Sequence, residues 1–192
     1  MSAASEFRAG LRRLHAEKDT AYRTAWKRRG ELLSVLPNIA RKADRLESAG
    51  AGAPGTRDED LMDTVVDLLV YTLKYQTLLG DQDPAVAAHL FDQLPPPYSD
   101  GRQGFEVLLD GLDLSPLDEP PFTASAAEAT TEVLTAFQRV ESCFTGNAVP
   151  AGERQRRAAE LAAAVVRMLA VLRHKKPSLY QGFLDRWGGG DR

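Results

Sequence analysis

Apolar residues recur along most of this chain at intervals of three and four, the spacing that lines one face of an α-helix. Phe7, Leu11 and Leu14 open such a stripe, and Tyr22, Trp26 and Leu33 continue it loosely, predicting a long helix over 4–36. Gly30 weakens its interior by about 1 kcal/mol relative to Ala. Pro37 fits the first turn of a second helix over 37–48, where a missing N–H costs little, and Leu36, Ile39, Ala43 and Leu46 form its apolar stripe. The run Ala49-Gly50-Ala51-Gly52-Ala53-Pro54-Gly55 reads as a flexible loop.

Thr56-Arg57-Asp58-Glu59 is a capping box in which hydroxyl and carboxylate can each satisfy a free helical N–H. The helix it opens is apolar on most sides through Leu61, Met62, Val65, Val66, Leu68, Leu69, Val70 and Leu73. Such a helix belongs at the centre of a bundle. It is expected to run to Leu79 and stop at Gly80, a suitable left-handed residue after a helix end. Short helices over 84–93 and 101–113 flank Pro95-Pro96-Pro97, and the proline-bearing stretch 115–122 reads as loop. A second capping box, Ser125 to Glu128, starts a helix to Phe144 that ends at Gly146. Helices over 150–174 and 177–187 follow, the first Ala-rich on one face for close packing, and Gly188-Gly189-Gly190 begins a frayed tail. No segment alternates as a strand does. The expected fold class is therefore all-α: a helical bundle of four or five long helices with a Pro-rich excursion near 94–121. One domain spans 1–187, with a flexible tail at 188–192.

A length of 192 residues and a composition of 43% hydrophobic and 27% charged residues suit one ordinary globular domain. The net charge of −3 hides a segregation: residues 1–50 balance to +5, residues 51–135 to −13, and residues 136–192 to +5. Opposite faces can therefore meet each other or meet different partners. The acidic middle speaks against a uniformly basic nucleic-acid binder, and a solvated face is the favoured reading of Arg12, Arg13, Arg23, Lys27, Arg28 and Arg29. A nucleic-acid adaptor would need those arginines to form one continuous exposed face. Cys143 is the sole cysteine, so no internal disulfide forms, and it reads as a small buried apolar residue. The N-terminus shows no apolar stretch of signal-peptide length, and the apolar run 161–172 is interrupted by Arg167 and too short for a bilayer. A cytoplasmic protein without membrane contact is expected.

The polar positions of the apolar helix carry the chemistry. Asp60, Asp63, Asp67, Tyr71 and Lys74 follow spacings of three, four, four and three, which puts them along one face. Asp63 and Asp67 should lie near the core, and an unpaired carboxylate there is costly. They must meet a metal, cations or hydrogen-bond donors. Aspartates one turn apart can share Mg²⁺, which prefers oxygen ligands, or pair with Lys and Arg of a neighbouring helix. Asn38, Lys42 and Arg45 share a face of the helix over 37–48, and Glu31 continues that face. The cations there can form a salt-bridge ladder or bind phosphate, Arg as a bidentate fork and Lys as a point charge. His15, His89 and His174 show no ligand spacing, no Gly-rich phosphate loop or Gly-x-Ser-x-Gly elbow is present, and Trp26 and Trp187 read as core or interface anchors.

Three stretches, Tyr22-Arg23-Thr24-Ala25-Trp26, Asn38 through Glu47 and Asp63 through Tyr71, resemble the nucleotide-modification-associated domain family. That family is similar to all-α nucleotide pyrophosphohydrolases of the MazG and dimeric dUTPase type. Asp67 and Tyr71 fall on the Asp and Tyr of the pyrophosphohydrolase pattern, with Thr64 at its Glu position and Asp63 one place earlier. The resemblance covers residues 20–80. It implies a nucleotide-binding homodimer that releases pyrophosphate from a nucleoside triphosphate by metal-assisted attack of water. Asp60, Asp63 and Asp67 would hold Mg²⁺. Lys42 and Arg45 would stabilise the transferring phosphoryl group, and Asn38, Tyr71 and Lys74 would touch the nucleotide. The alternative expectation is a non-enzymatic helical interaction module whose buried salt-bridge ladder fixes helix register.

Overall fold

The computed structural model describes residues 2–50, 58–120 and 124–188, with the side chains of Tyr22, Asp58, Glu59 and Asp60 outside the description. Among the described residues the fold is all-α and holds no strand. The expected capping box at Thr56, most of the loop 49–55, and 189–192 of the expected tail lie outside the described residues.

α1 spans Ala3–Tyr22, opened by the Ser2 hydroxyl accepting from the Ser5 N–H at 3.2 Å. Its stripe is as expected, with Phe7, Leu11 and Leu14 buried. The predicted single helix over 4–36 is broken. Arg23 turns at φ 43°, Ala25–Lys27 form a 3₁₀ turn, and Gly30 sits at φ 79°. Glu31–Val35 then form one wide π turn that runs straight into α2, Leu36–Gly50. Gly30 is thus a turn residue in the left-handed region rather than a weak helical position. The break buries Trp26 but turns Leu33, expected on the apolar stripe, out to solvent at 73% exposure.

α3, Asp58–Gln82, has 25 residues and is about 37 Å long. Apart from its polar stripe it is enclosed as expected, mainly by α2 and by α7, Ala151–Lys175. It passes through Gly80 rather than stopping there. Gly80 is needed for closeness instead: a Cβ would lie 2.6 Å from the Phe91 ring. α4, Pro84–Leu90, follows at once, capped by the Asp83 carboxylate on the Ala85 N–H at 2.8 Å. α6, Ala126–Glu141, carries the expected capping box, Ser125 N–H to the Glu128 carboxylate at 2.7 Å and Glu128 N–H to the Ser125 hydroxyl at 3.2 Å. It lies along α7, whose Ala158, Ala162, Ala164 and Ala170 are all buried. α8, Pro177–Trp187, returns against α1.

The Pro-rich excursion is tied down at several points. The Asp81 carboxylate accepts from the backbone N–H of Tyr98 (2.7 Å) and Ser99 (3.0 Å). Within it, α5, Gln103–Gly111, buries Phe105 and Leu109. The Arg8 side chain donates to the carbonyls of Leu109 (3.2 Å) and Leu112 (2.9 Å) at the C-terminal end of α5, where helix carbonyls run short of N–H partners. No helix among the described residues is long and apolar enough to cross a membrane.

Gly104 is the tightest point of this excursion, since a Cβ there would sit 2.1 Å from the Tyr98 carbonyl oxygen. Backbone cannot yield as a side chain can. Gly104→Ala is expected to cost about 1–3 kcal/mol in urea unfolding. Gly152→Ala, which meets open space in α7, is expected to leave stability unchanged or slightly raised.

Candidate functional site

Of the predicted acidic stripe, Asp67 alone is drawn well inside among the described side chains. Its two carboxylate oxygens each receive an ammonium at 2.5 Å, from Lys18 of α1 and Lys42 of α2. Asp67 and Lys42 expose only 17% and 9% of their side chains. Burial alone would push the Asp67 carboxyl up, but the hydrogen bonds from Lys18 and Lys42 together with their charges outweigh it and hold the group below its ordinary value. Three helices meet at this one carboxylate.

The other predicted residues do not join it. Asp63, expected near the core, is half exposed on the first turns of α3 and lies 3.4 Å from Arg186 of α8. Asp60 lies outside the described side chains. Arg45 is exposed on α2 and makes no ion pair among the described residues. Tyr71 is half-buried. Lys74 is buried, its ammonium 5.2 Å from the centre of the Trp26 ring. Burial lowers the Lys74 ammonium's pKa; Asp19 opposes that, and Lys18 and Lys27 add to it. Glu31 does not extend the Lys42 face but accepts from the Tyr75 hydroxyl and pairs with Arg154 of α7. Among the described residues no three His, Cys, Asp or Glu side chains stand together as a metal site would require. With both Asp67 oxygens taken and Asp63 turned away, Asp63 and Asp67 do not offer Mg²⁺ a shared pair of carboxylates.

His15 is a further buried group, stacked on Phe105 at 3.7 Å with Nε2 unpartnered. Burial first, then the charges of Lys74 and Arg102, push its pKa down to about 3, so it is neutral at physiological pH.

A different cluster forms where the helix breaks. Arg28 and Arg29 precede Gly30, Leu33 and Ser34 stand on the π turn, and Asn38 and Arg41 follow on α2. Together they line an open pocket of about 470 Å³. The Asn38 amide donates to the Ser34 carbonyl at 2.8 Å and accepts from the Arg41 guanidinium at 2.9 Å, while the Arg29 N–H donates to the Ser34 hydroxyl at 3.1 Å. None of the three guanidinium groups reaches a carboxylate among the described residues, whereas Arg12, Arg154, Arg156, Arg157, Arg167 and Arg186 each do. Asn38 is the sequence-predicted site residue that this pocket contains. The sequence pattern places Arg28 and Arg29 on the solvated face of one long helix and Arg41 on the next helix. The signal that groups them is Gly30, read as a turn.

Asp67 sets up a stability test. Asp67→Asn leaves Lys42 buried against an amide and is expected to cost about 3 kcal/mol at pH 7 in denaturant unfolding. The double variant Asp67→Leu with Lys42→Met removes both buried charges, lets Lys18 turn to water, and should lie within about 1 kcal/mol of the parent. Because the carboxyl is held low in the folded state, its contribution is present above the ordinary carboxylate value and fades as pH falls through the folded value. The single-variant deficit should shrink below pH 4.

No family model, no curated protein and no solved structure matches the chain.

Proposed function

We propose that this chain binds a phosphate-bearing small molecule in the pocket at the helix break, and that it binds without hydrolysing. The observation that carries the reading is the convergence of Arg28, Arg29 and Arg41, all without carboxylate partners among the described residues, on one pocket of about 470 Å³. Guanidinium forks suit phosphate oxygens in both shape and charge. The Ser34 hydroxyl can add a donor, and Leu33 and Pro37 offer an apolar wall for the rest of the ligand. Three charge-assisted contacts at about 1.5 kcal/mol each sum to a Kd near 1 mM for inorganic phosphate alone. Tighter binding has to come from the apolar wall. Mg²⁺-dependent hydrolysis, which the family resemblance implies, asks for carboxylates gathered at one point, and among the described residues no such group stands together.

The test is calorimetric titration with inorganic phosphate, pyrophosphate and ATP, each with and without Mg²⁺. The expected result is saturable binding without a metal requirement, weakened about tenfold by Arg28→Ala or Arg41→Ala and kept in a folded Lys42→Met variant. Binding that ignores both arginine changes would overturn this reading. Binding that needs Mg²⁺ and is lost in Lys42→Met would return the site to Asp67.

A second reading, the interaction module, is favoured by one observation: Leu32 and Leu33 are 58% and 73% exposed on the same turn. Paired large apolar side chains in solvent suit an interface between two copies. In sedimentation equilibrium a homodimer should dissociate in Leu32→Ser/Leu33→Ser; a parent that stays monomeric at high concentration ends this second reading.

A further inference from the structure

We propose a second, chemically different ligand site between α3, α4, α5 and α7, fitted to a small apolar molecule that carries a carboxamide. A cavity of about 350 Å³ lies there, walled by Leu73, Leu108, Leu112, Ala162, Ala163 and Val166. That volume falls near the lower end of the range for small-molecule sites, about 300–1,000 Å³. Short side chains on α7 leave the space, but small residues alone specify nothing.

The second observation is polar. Gln76 of α3 lines the same cavity and is only 4% exposed. Its Oε1 accepts one hydrogen bond, from Gln155 Nε2 at 3.1 Å. Its own amide N–H₂ donates to no acceptor among the described residues. That N–H₂ borders the open space of the cavity rather than a protein acceptor, so a polar group entering the cavity can take its hydrogen bond. The neighbouring polar side chains of α3 are better served: the Thr72 and Thr77 hydroxyls each donate to a helix carbonyl at 2.7 Å.

The ligand's polar group follows from the amide itself. A half-turn of a glutamine amide exchanges its donor and acceptor, so the group that suits Gln76 either way must carry both. A carboxamide does. Its apolar remainder would rest on Leu73, Leu108 and Val166. Charged ligands are disfavoured inside, because the charged groups, Asp113 and Arg167, both lie on the lining toward solvent and Arg167 is held by Glu132 of α6.

Titration of the full chain by two-dimensional amide NMR, with benzamide, toluene and acetamide as probes, tests the site. Benzamide is expected to shift the Gln76 and Gln155 side-chain signals saturably. It should bind about fivefold more tightly than toluene, the worth of one net hydrogen bond. Acetamide, lacking the ring, should not saturate. Ala163→Leu, which fills the cavity, should abolish benzamide binding and leave inorganic phosphate titrations unchanged. Gln76→Leu should erase the advantage of benzamide over toluene; if that variant does not fold, Gln76→Met, which keeps the length of the side chain and removes the amide, makes the same comparison. Benzamide no tighter than toluene, or shifts that persist in Ala163→Leu, would overturn the proposal.

Discussion

A helix that is apolar on most of its sides has to be enclosed, and enclosure takes its polar residues inside with it. α3 is that helix. Wrapping it with α2, α4, α5, α7 and α8 buries Val65, Leu68, Leu69, Leu73 and Leu79 almost completely, at about 1.5–3 kcal/mol for each large side chain. The same wrapping carries in Asp67, Thr72, Lys74, Tyr75, Gln76 and Thr77. Each then needs a local settlement. The threonines return to helix carbonyls, Tyr75 donates to Glu31, Asp67 takes two lysines, and Lys74 lies over Trp26. Gln76 settles only in part, and the cavity proposed as a ligand site opens beside it.

The charge segregation along the chain is partly spent in ion pairs of this kind. Acids of the middle block meet bases of the outer blocks: Asp110 meets Arg12, Asp100 meets Lys27, Asp67 meets Lys18 and Lys42, Glu132 meets Arg167, and Asp63 meets Arg186. Most such surface pairs contribute about 0–1 kcal/mol each, so their weight lies less in stability than in orientation. They fix which face of α1, α2 and α8 is turned toward the acidic middle. Arg28, Arg29 and Arg41 fall outside that pairing, and a positive surface remains where they stand.

Much of the architecture was legible because it rests on local rules. The all-round apolar pattern placed α3 at the centre, and Ser125 with Glu128 announced the start of α6. The alanines of α7 announced its close packing. Three features were hidden because they depend on distant partners. Gly80 reads as a stop residue, yet its purpose is the approach of the Phe91 ring, which only the folded excursion supplies. Asp63 and Asp67 look equivalent one turn apart, yet α1 and α2 both send a lysine to Asp67, while among the described residues Asp63 pairs with Arg186. The wheel position of a residue says which way it points, not what stands opposite. Gln76 carried no signal at all, since a lone glutamine on an apolar helix acquires meaning only from the cavity beside it.

The break at 23–35 matters most for the proposed phosphate site. On an uninterrupted α-helix, Arg28 and Arg41 would be separated by about 20 Å along the axis, and their directions would differ by about 140°. No compact anion could touch both. The left-handed Gly30 and the wide turn over Glu31–Val35 bring these two arginines to one pocket with Arg29, Ser34 and Asn38. Wide turns of this kind recur at functional sites because they redirect side chains without ending the helix. Here the turn also leaves Leu32 and Leu33 in water, which is unfavourable for an isolated chain. The feature that costs the fold local regularity is therefore the one that assembles charge and apolar surface in one place, the combination a bound phosphate-bearing molecule would use.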